Sequence, residues 1–327
     1  MNSLDQGAVP PGRPEAIKAV PVRHPGRWAG AAVVLLLAAM LVHALVTNSQ
    51  FQWDVVGKYF FDSTITHGML VTLELTALAM VIGVVGGTLL AIMRLSANPV
   101  LSTTAWFYIW VFRGTPVLVQ LFIWNYLGTL WANIGFGIPF GPVFWSEPTN
   151  KLIPLFVAAL LGLGLNEAAY MAEIVRSGIQ SVPVGQTEAA HALGMSQSRT
   201  MRRIILPQAM RVIIPPTGNE TISMLKTTSL VSAISLEELF RASQNISSRT
   251  FQIIPMLMIA SIWYLAMTSI LTVVQYYIER HYARGANRVL PPTPLQRLRG
   301  LFAGRRPAPA PATQGDVVTG ADGGGHL

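Results

Sequence analysis

The segment that decides how this chain is organised is residues 184–209, VGQTEAAHALGMSQSRTMRRIILPQA. It follows the pattern EAA-x3-G-x9-I-x-L-P, carried by Glu188, Ala189, Ala190, Gly194, Ile204, Leu206 and Pro207. Small side chains before a glycine predict a short helix with a small apolar face, and Gly194 is expected to end it as a C-cap. An ordinary amphipathic loop is the alternative interpretation.

The composition around this segment is that of a membrane protein. Of the 327 residues 51% are hydrophobic and only 12% are charged, whereas soluble domains have about a quarter charged residues. Apolar stretches of about 20 residues, the length that crosses a hydrocarbon core, follow one another. We therefore predict an all-α membrane protein with about six transmembrane helices, at residues 28–47, 67–93, 106–131, 152–176, 209–234 and 251–279.

The two ends of the chain differ from its middle. Residues 1–27 and 285–327 are rich in proline or in small and polar residues, and we predict a disordered N-terminal arm and a disordered tail. The first span, 28–47, is longer than the apolar core of a signal peptide and is expected to be an uncleaved helix. The chain contains no cysteine, and its histidines lack metal-ligand spacing, so we expect no metal site.

Basic residues predict the topology. They cluster before the first span, in the segment 184–209 and after the last span, at Arg13, Lys18, Arg23, Arg27, Arg199, Arg202, Arg203, Arg280, Arg284 and Arg288. By the positive-inside rule both termini and this segment are cytoplasmic. The net charge of +8 is therefore mostly a topology signal, and we expect no nucleic-acid partner.

The segment resembles the cytoplasmic docking loop of ATP-binding-cassette (ABC) importer permeases. The resemblance extends to polar amino-acid permeases of the histidine, glutamine, glutamate and arginine group. It rests on RGTP-x3-Q at 113–120, AY-x2-E-x2-R at 169–176, GQ-x-E at 185–188, LPQA at 206–209 and KTTSL at 226–230. The similar region covers about residues 64–284, expected to be the permease domain. The first span departs from the minimal five-helix permease.

This resemblance implies a type I ABC importer transmembrane domain in a bacterial inner membrane. It implies two ATPase subunits, a second permease subunit, an extracytoplasmic solute-binding protein and a polar amino acid as substrate. Residues 184–209, called the coupling loop below, would carry the ATPase contacts. The chain has no G-x4-GK[ST] phosphate loop, so ATP and Mg²⁺ are expected on the partner, with no cofactor in this chain and no enzymatic activity of its own.

Ionisable and amide groups inside apolar spans are costly, and they are candidates for the transport path. Glu74, Asn166 and Glu167 are predicted to contact substrate, because a zwitterion needs a carboxylate and hydrogen-bond donors. For Glu74, an interhelical hydrogen bond is an equally good interpretation. The remaining polar residues are predicted to be structural or gating: Arg113, Glu173, Arg176, Glu220 and Lys226. Glu173 and Arg176 are three residues apart and suit an ion pair.

Two other function classes remain as alternatives. A secondary transporter or channel for a small polar solute needs no ATPase dock, and no inverted repeat of helices is evident. A membrane enzyme would need a nucleophile or metal motif, and no G-x-S-x-G is present. The sequence leaves open which amino acid is carried and whether the permease partner is a second copy or a paralogue.

Overall fold

Residues 25–138 and 141–282 are described by a computed structural model of the chain. The helices are α1 Pro25–Thr47, α2 Trp53–Tyr59, α3 Ser63–Arg94, α4 Pro99–Gly114, α5 Val117–Asn125, α6 Leu127–Leu130, α7 Thr149–Leu152, α8 Leu155–Gln180, α9 Val184–Ala192, α10 Gln197–Thr200, α11 Leu206–Thr227, α12 Leu239–Thr250 and α13 Ile253–Tyr282. The predicted tail 285–327 and positions 1–24 of the predicted arm lie outside the described residues, and α1 already begins at Pro25.

The long helices confirm most of the predicted spans. Among the described residues four helices are long and apolar enough to cross a membrane: α1 from Trp28, α3, α8 and α13. A fifth is added if the bent pair α4–α5 counts as one span. Helix α11, which corresponds to the predicted fifth span, is not among these helices. A total of six spans therefore remains a prediction.

The third predicted span, 106–131, is wrong as a single helix. Helix α4 begins earlier, at Pro99, and the chain bends by 101° between α4 and α5. The bend lies at Thr115, whose backbone is extended (φ −115°, ψ 143°). Pro116 causes this, because the residue before a proline is disfavoured in the helical region.

The predicted helical fold class is confirmed, and the described residues add one two-stranded hairpin to it. Strands β1 (Asn133–Gly137) and β2 (Val143–Pro148) pair antiparallel, with Phe136 opposite Trp145 and an irregularity between Phe136 and Gly137. The rest of the described chain is helical or irregular. The hairpin therefore adds a small β element to a helical membrane fold.

The described residues group into two compact units. The first comprises the described residues up to Ala172 together with Thr221–Ser269, and the second comprises Glu173–Glu220 and the described residues from Ile270. The core of the first unit is apolar: Leu75, Ala79, Met80, Leu121, Ala159, Leu163, Met224, Val231 and Ile234. All three predicted substrate residues lie in the first unit, and the coupling loop lies in the second.

Close packing of α3 on α8 explains the G-x3-G pattern of α3. A Cβ on Gly83 would collide with the side chain of Glu167. A Cβ on Gly87 would lie 2.5 Å from Met171 Cβ and 2.8 Å from the backbone nitrogen of Ala172. Small residues permit this helix approach in membranes, so these glycines are packing residues.

Candidate functional site

The coupling loop opens with the short helix α9. It begins at Val184, directly after Pro183, and ends at Ala192. Gly194 follows with φ +72°. The N–H of Gly194 donates to His191 O at 2.9 Å, and that of Met195 donates to Ala190 O at 3.0 Å. These two bonds form a Schellman cap, which confirms Gly194 as the residue that ends the helix.

The motif residues occupy both faces of α9. Ala190 is buried, while Glu188 and Ala189 are exposed. Leu193 is 83% exposed although it is apolar. Glu188 is the fifth residue of α9, so it lies beyond the first turn, where a negative charge stabilises a helix.

The part of the coupling loop that follows α10 is hydrogen-bonded to α9. Residues Met201–Ile205 form a π-helical turn that leads into α11, with Ile205 buried, Ile204 and Leu206 partly buried, and Pro207 exposed. Gln208 Nε2 donates to Ile204 O at 2.9 Å and to Gln186 Oε1 at 3.4 Å. Gln208 thus connects α11 to α9, and it is not among the residues predicted for the ATPase contact.

An ion pair lies at the end of α8 that precedes the coupling loop. Arg176 Nη2 is 2.5 Å from Glu173 Oε2, and Arg176 Nη1 donates to Gln180 Oε1 at 2.6 Å. This confirms the predicted pairing of Glu173 with Arg176. Glu220, in α11, is partly buried.

A second polar cluster of the same unit joins α11 to α13. Gln275 Nε2 donates to Asn219 Oδ1 at 2.9 Å, to Glu279 Oε1 at 2.6 Å and to Pro215 O at 3.3 Å. Pro215 and Pro216 lie inside α11, where each lacks a backbone donor. Gln275 therefore links α13 to α11 by a hydrogen bond to the carbonyl of one of these prolines and to the side chain of Asn219.

In the first unit, Asn166 and Gln120 stabilise the bend between α4 and α5. Gln120 Nε2 donates to Thr115 Oγ1 at 2.8 Å and to Phe112 O at 3.0 Å. Asn166 Nδ2 donates to the same Phe112 carbonyl at 2.9 Å and to Gln120 Oε1 at 3.3 Å. The amide of Asn166 thus connects α8 to the bend.

The other predicted residues of this unit lie in different environments. Arg113 stacks over the ring of Tyr170, with 5.1 Å between Cζ and the ring centroid, and Lys226 is exposed. Glu167 is buried and packs against Gly83, whereas Glu74 is exposed. Glu74 and Gly83 are nine residues apart on α3, or about 14 Å along the helix axis. Glu74 and Glu167 therefore lie at different depths.

A buried carboxylate outside the predicted set lies at the start of α12. Glu238 has no exposed surface and caps the helix: Oε2 accepts from Phe240 N and Oε1 from Arg241 N, both at 2.8 Å. Tyr264 Oη donates to Glu238 Oε2 at 2.7 Å, and Thr72 Oγ1 lies 3.5 Å from the same oxygen. Burial raises the pKa of Glu238 above its ordinary value.

Comparison with known proteins places this architecture in a family. Residues 83–284 match the sequence family described as "Binding-protein-dependent transport system inner membrane component". The arginine transport system permease protein ArgU of Corynebacterium glutamicum is 52% identical over 89% of this chain and 91% of its own length. The L-cystine transport system permease protein TcyB of Bacillus subtilis is 37% identical over 74% of this chain and 95% of its own length.

Solved structures share the fold. An amino acid ABC transporter crystallised with histidines is 37% identical, with a TM-score of 0.57, over 67% of this chain and 94% of that one. The inward-facing MetNI methionine ABC transporter is 18% identical, with a TM-score of 0.53, over 68% of this chain and 97% of that one, and it supports the fold alone. The chain therefore belongs to the binding-protein-dependent transport system inner membrane component family, and it is a membrane-spanning permease subunit of an ABC transporter.

Proposed function

We propose that this permease imports a polar amino acid, with two ATPase subunits docked on the coupling loops of a permease pair. The exposed side of α9 carries this proposal. Glu188, Ala189 and Leu193 lie at the surface of a short, capped helix, which suits insertion into a cleft of a partner. Movement of that cleft on ATP binding would then be transmitted through the second unit, in which α9 is connected to α11 by Gln208.

The topology that this mechanism needs agrees with the charge distribution. By the positive-inside rule, the arginines before α1, those of the coupling loop and those after α13 favour a cytoplasmic position for this loop and for both termini. ATP and Mg²⁺ would bind to the ATPase alone. An extracytoplasmic binding protein would deliver the substrate on the opposite side. The permease partner would be a second copy or a paralogue.

Arginine is the substrate that we propose to assay first, because a relative 52% identical over 89% of this chain is an arginine transport permease. Glu74 is the residue that we propose for contact with a cationic or zwitterionic substrate. Its carboxylate is exposed on a helix that is apolar enough to span the membrane. A surface carboxylate in such a helix suits a water-filled path better than a lipid-facing position.

Replacing Glu74 with glutamine is expected to lower the maximal rate of arginine uptake about tenfold, since a charge-assisted hydrogen bond contributes roughly 1.5–3 kcal/mol. The half-saturation concentration should change little, because the binding protein would set it. The measurement is uptake of radiolabelled arginine by cells that carry the complete transporter. Asp54→Asn, a neutral replacement of another exposed acid, is the matched control. Unchanged uptake in Glu74→Gln would exclude Glu74 from the path.

A further inference from the structure

The hairpin formed by β1 and β2 is firmly attached at its base. Thr149, almost fully buried, donates its backbone N–H to Ala132 O at 3.0 Å and its hydroxyl to Trp131 O. Lys151 Nζ lies 2.8 Å from Glu147 Oε2. These contacts join the residue before β1 to the residues that follow β2, so the base holds the hairpin in a defined orientation.

The half of the hairpin far from this base is apolar and exposed. Phe136 is 73% exposed, Phe144 65% and Trp145 48%. Ile138 and Val143 are exposed as well. The single charged residue of the sequence 133–148 is Glu147, and it lies at the base in its ion pair. An uncharged patch of this kind marks a contact with a partner or a membrane.

Two physical limits fix the depth of such a hairpin in a membrane. Two strands that pair only with each other leave backbone N–H and C=O groups unpaired along their outer edges, which excludes them from the hydrocarbon core. Large apolar side chains without charge are costly in water. Both limits are met at the boundary between headgroups and acyl chains, where aromatic side chains are enriched.

The segment that leads into the hairpin is apolar and exposed as well. Leu130 and Trp131 are exposed immediately before β1. Leu130 also lines an apolar groove of about 330 Å³ beside α5 and α6, together with Val119, Phe122, Ile123, Tyr126 and Thr129. The exposed apolar surface of this unit therefore includes the segment before β1 as well as the hairpin.

We propose that the hairpin is a lipid-binding element, with Phe136, Phe144 and Trp145 inserted at the headgroup–acyl boundary. The leaflet is the extracytoplasmic one, because the positive-inside rule favours that side for the segment between α6 and α8, whose one basic residue is Lys151. Helix α8 has 26 residues and is about 39 Å long, longer than a hydrocarbon core of about 30 Å. A protein partner on the same patch is the competing occupant.

The absence of cysteine from the sequence gives a direct test by site-directed spin labelling. Phe136→Cys and Phe144→Cys each receive a nitroxide label in the complete transporter, reconstituted in lipid nanodiscs. The rate at which each label collides with oxygen, which concentrates in lipid, is divided by the rate at which it collides with a water-soluble nickel chelate. Leu37→Cys on the exposed face of α1 is the lipid reference, and Thr313→Cys in the polar tail that follows the last span is the aqueous reference.

The labels at 136 and 144 are expected to collide more often with oxygen than with nickel, with an oxygen-to-nickel ratio close to that at 37 and well above that at 313. Arginine uptake by both cysteine variants should equal that of the unmodified chain, which shows that they fold and assemble. A ratio close to that at 313 would overturn the proposal in favour of a solvated hairpin. Low collision rates with both reagents would overturn it in favour of a protein partner.

Discussion

Replacing Gly194 with valine is expected to lower ATP-driven uptake roughly tenfold or more while the membrane-spanning helices stay folded. Gly194 has φ +72° and ends α9. A non-glycine residue in this region costs about 1–2 kcal/mol, and a β-branched side chain is a stronger outlier. The two hydrogen bonds of the cap would be lost from most molecules, since about 1.4 kcal/mol changes a population tenfold. The measurement is arginine uptake together with the amount of ATPase that co-purifies with the tagged permease.

Gly57→Val is the matched control for this substitution. A Cβ on Gly57 meets no atom within 4 Å and its φ is not positive, so the same change of side chain should leave uptake near the level of the unmodified chain. Equal uptake and equal ATPase recovery in the Gly194→Val and Gly57→Val variants would contradict a role for the capped α9 helix in docking.

Replacing Glu238 with alanine is expected to destabilise the folded chain by about 3 kcal/mol or more. The substitution removes the acceptor of two backbone N–H groups and of the Tyr264 hydroxyl. Each buried donor left without an acceptor costs roughly 1–3 kcal/mol, and loss of an N-cap adds about 1 kcal/mol. The measurement is thermal unfolding of the detergent-solubilised protein, followed by size-exclusion chromatography.

Glu237 provides the control for this experiment. It is the preceding residue of the same type, but it is exposed and accepts one hydrogen bond, from Asn245. Glu237→Ala should change stability by less than about 0.5 kcal/mol. Glu238→Gln keeps one acceptor oxygen and should lie between the two alanine variants. If Glu237→Ala and Glu238→Ala unfold at the same temperature, the buried carboxylate does not stabilise α12.

The long helices were predictable because crossing a bilayer imposes a length and a composition on the sequence. Helix α8 spans Leu155–Gln180 where the hydropathy predicts 152–176, and α13 spans Ile253–Tyr282 where it predicts 251–279. The ends differ by a few residues, since hydropathy reports the apolar stretch and helix ends depend on local hydrogen bonds.

Prolines show where local sequence is an insufficient guide. Pro116 bends the chain by 101°, whereas Pro215 and Pro216 remain inside α11. Gln275, which is 60 positions away in the sequence, donates to Pro215 O, and Gln120 with Asn166 satisfies carbonyls beside the bend. At Pro116 the carbonyl that loses its helical donor is that of Phe112, and the side chains that satisfy it come from α5 and α8.

The candidate site also contains one part that the local sequence predicts and one part that it does not. The coupling loop was predictable because its cap and its motif lie within 26 consecutive residues. Glu238 was not predictable in the same way, because its environment is formed by Thr72 and Tyr264, which lie 166 and 26 positions away in the sequence. The one local signal was an acidic residue that directly precedes an amphipathic segment, as an N-cap does. None of the contacts among the described residues assigns a role to Glu74, and its place in the transport path stays a prediction.

The energy source of uptake is the most direct test of the proposed function. Arginine uptake is measured in cells that carry the chain at its native locus, after ATP is depleted and with the ion gradients held intact by an artificial potential. We expect uptake to stop when ATP is exhausted and to be insensitive to collapse of the ion gradients while ATP is maintained. Uptake that persists without ATP and disappears with the ion gradient would contradict the account, because it would identify a secondary transporter.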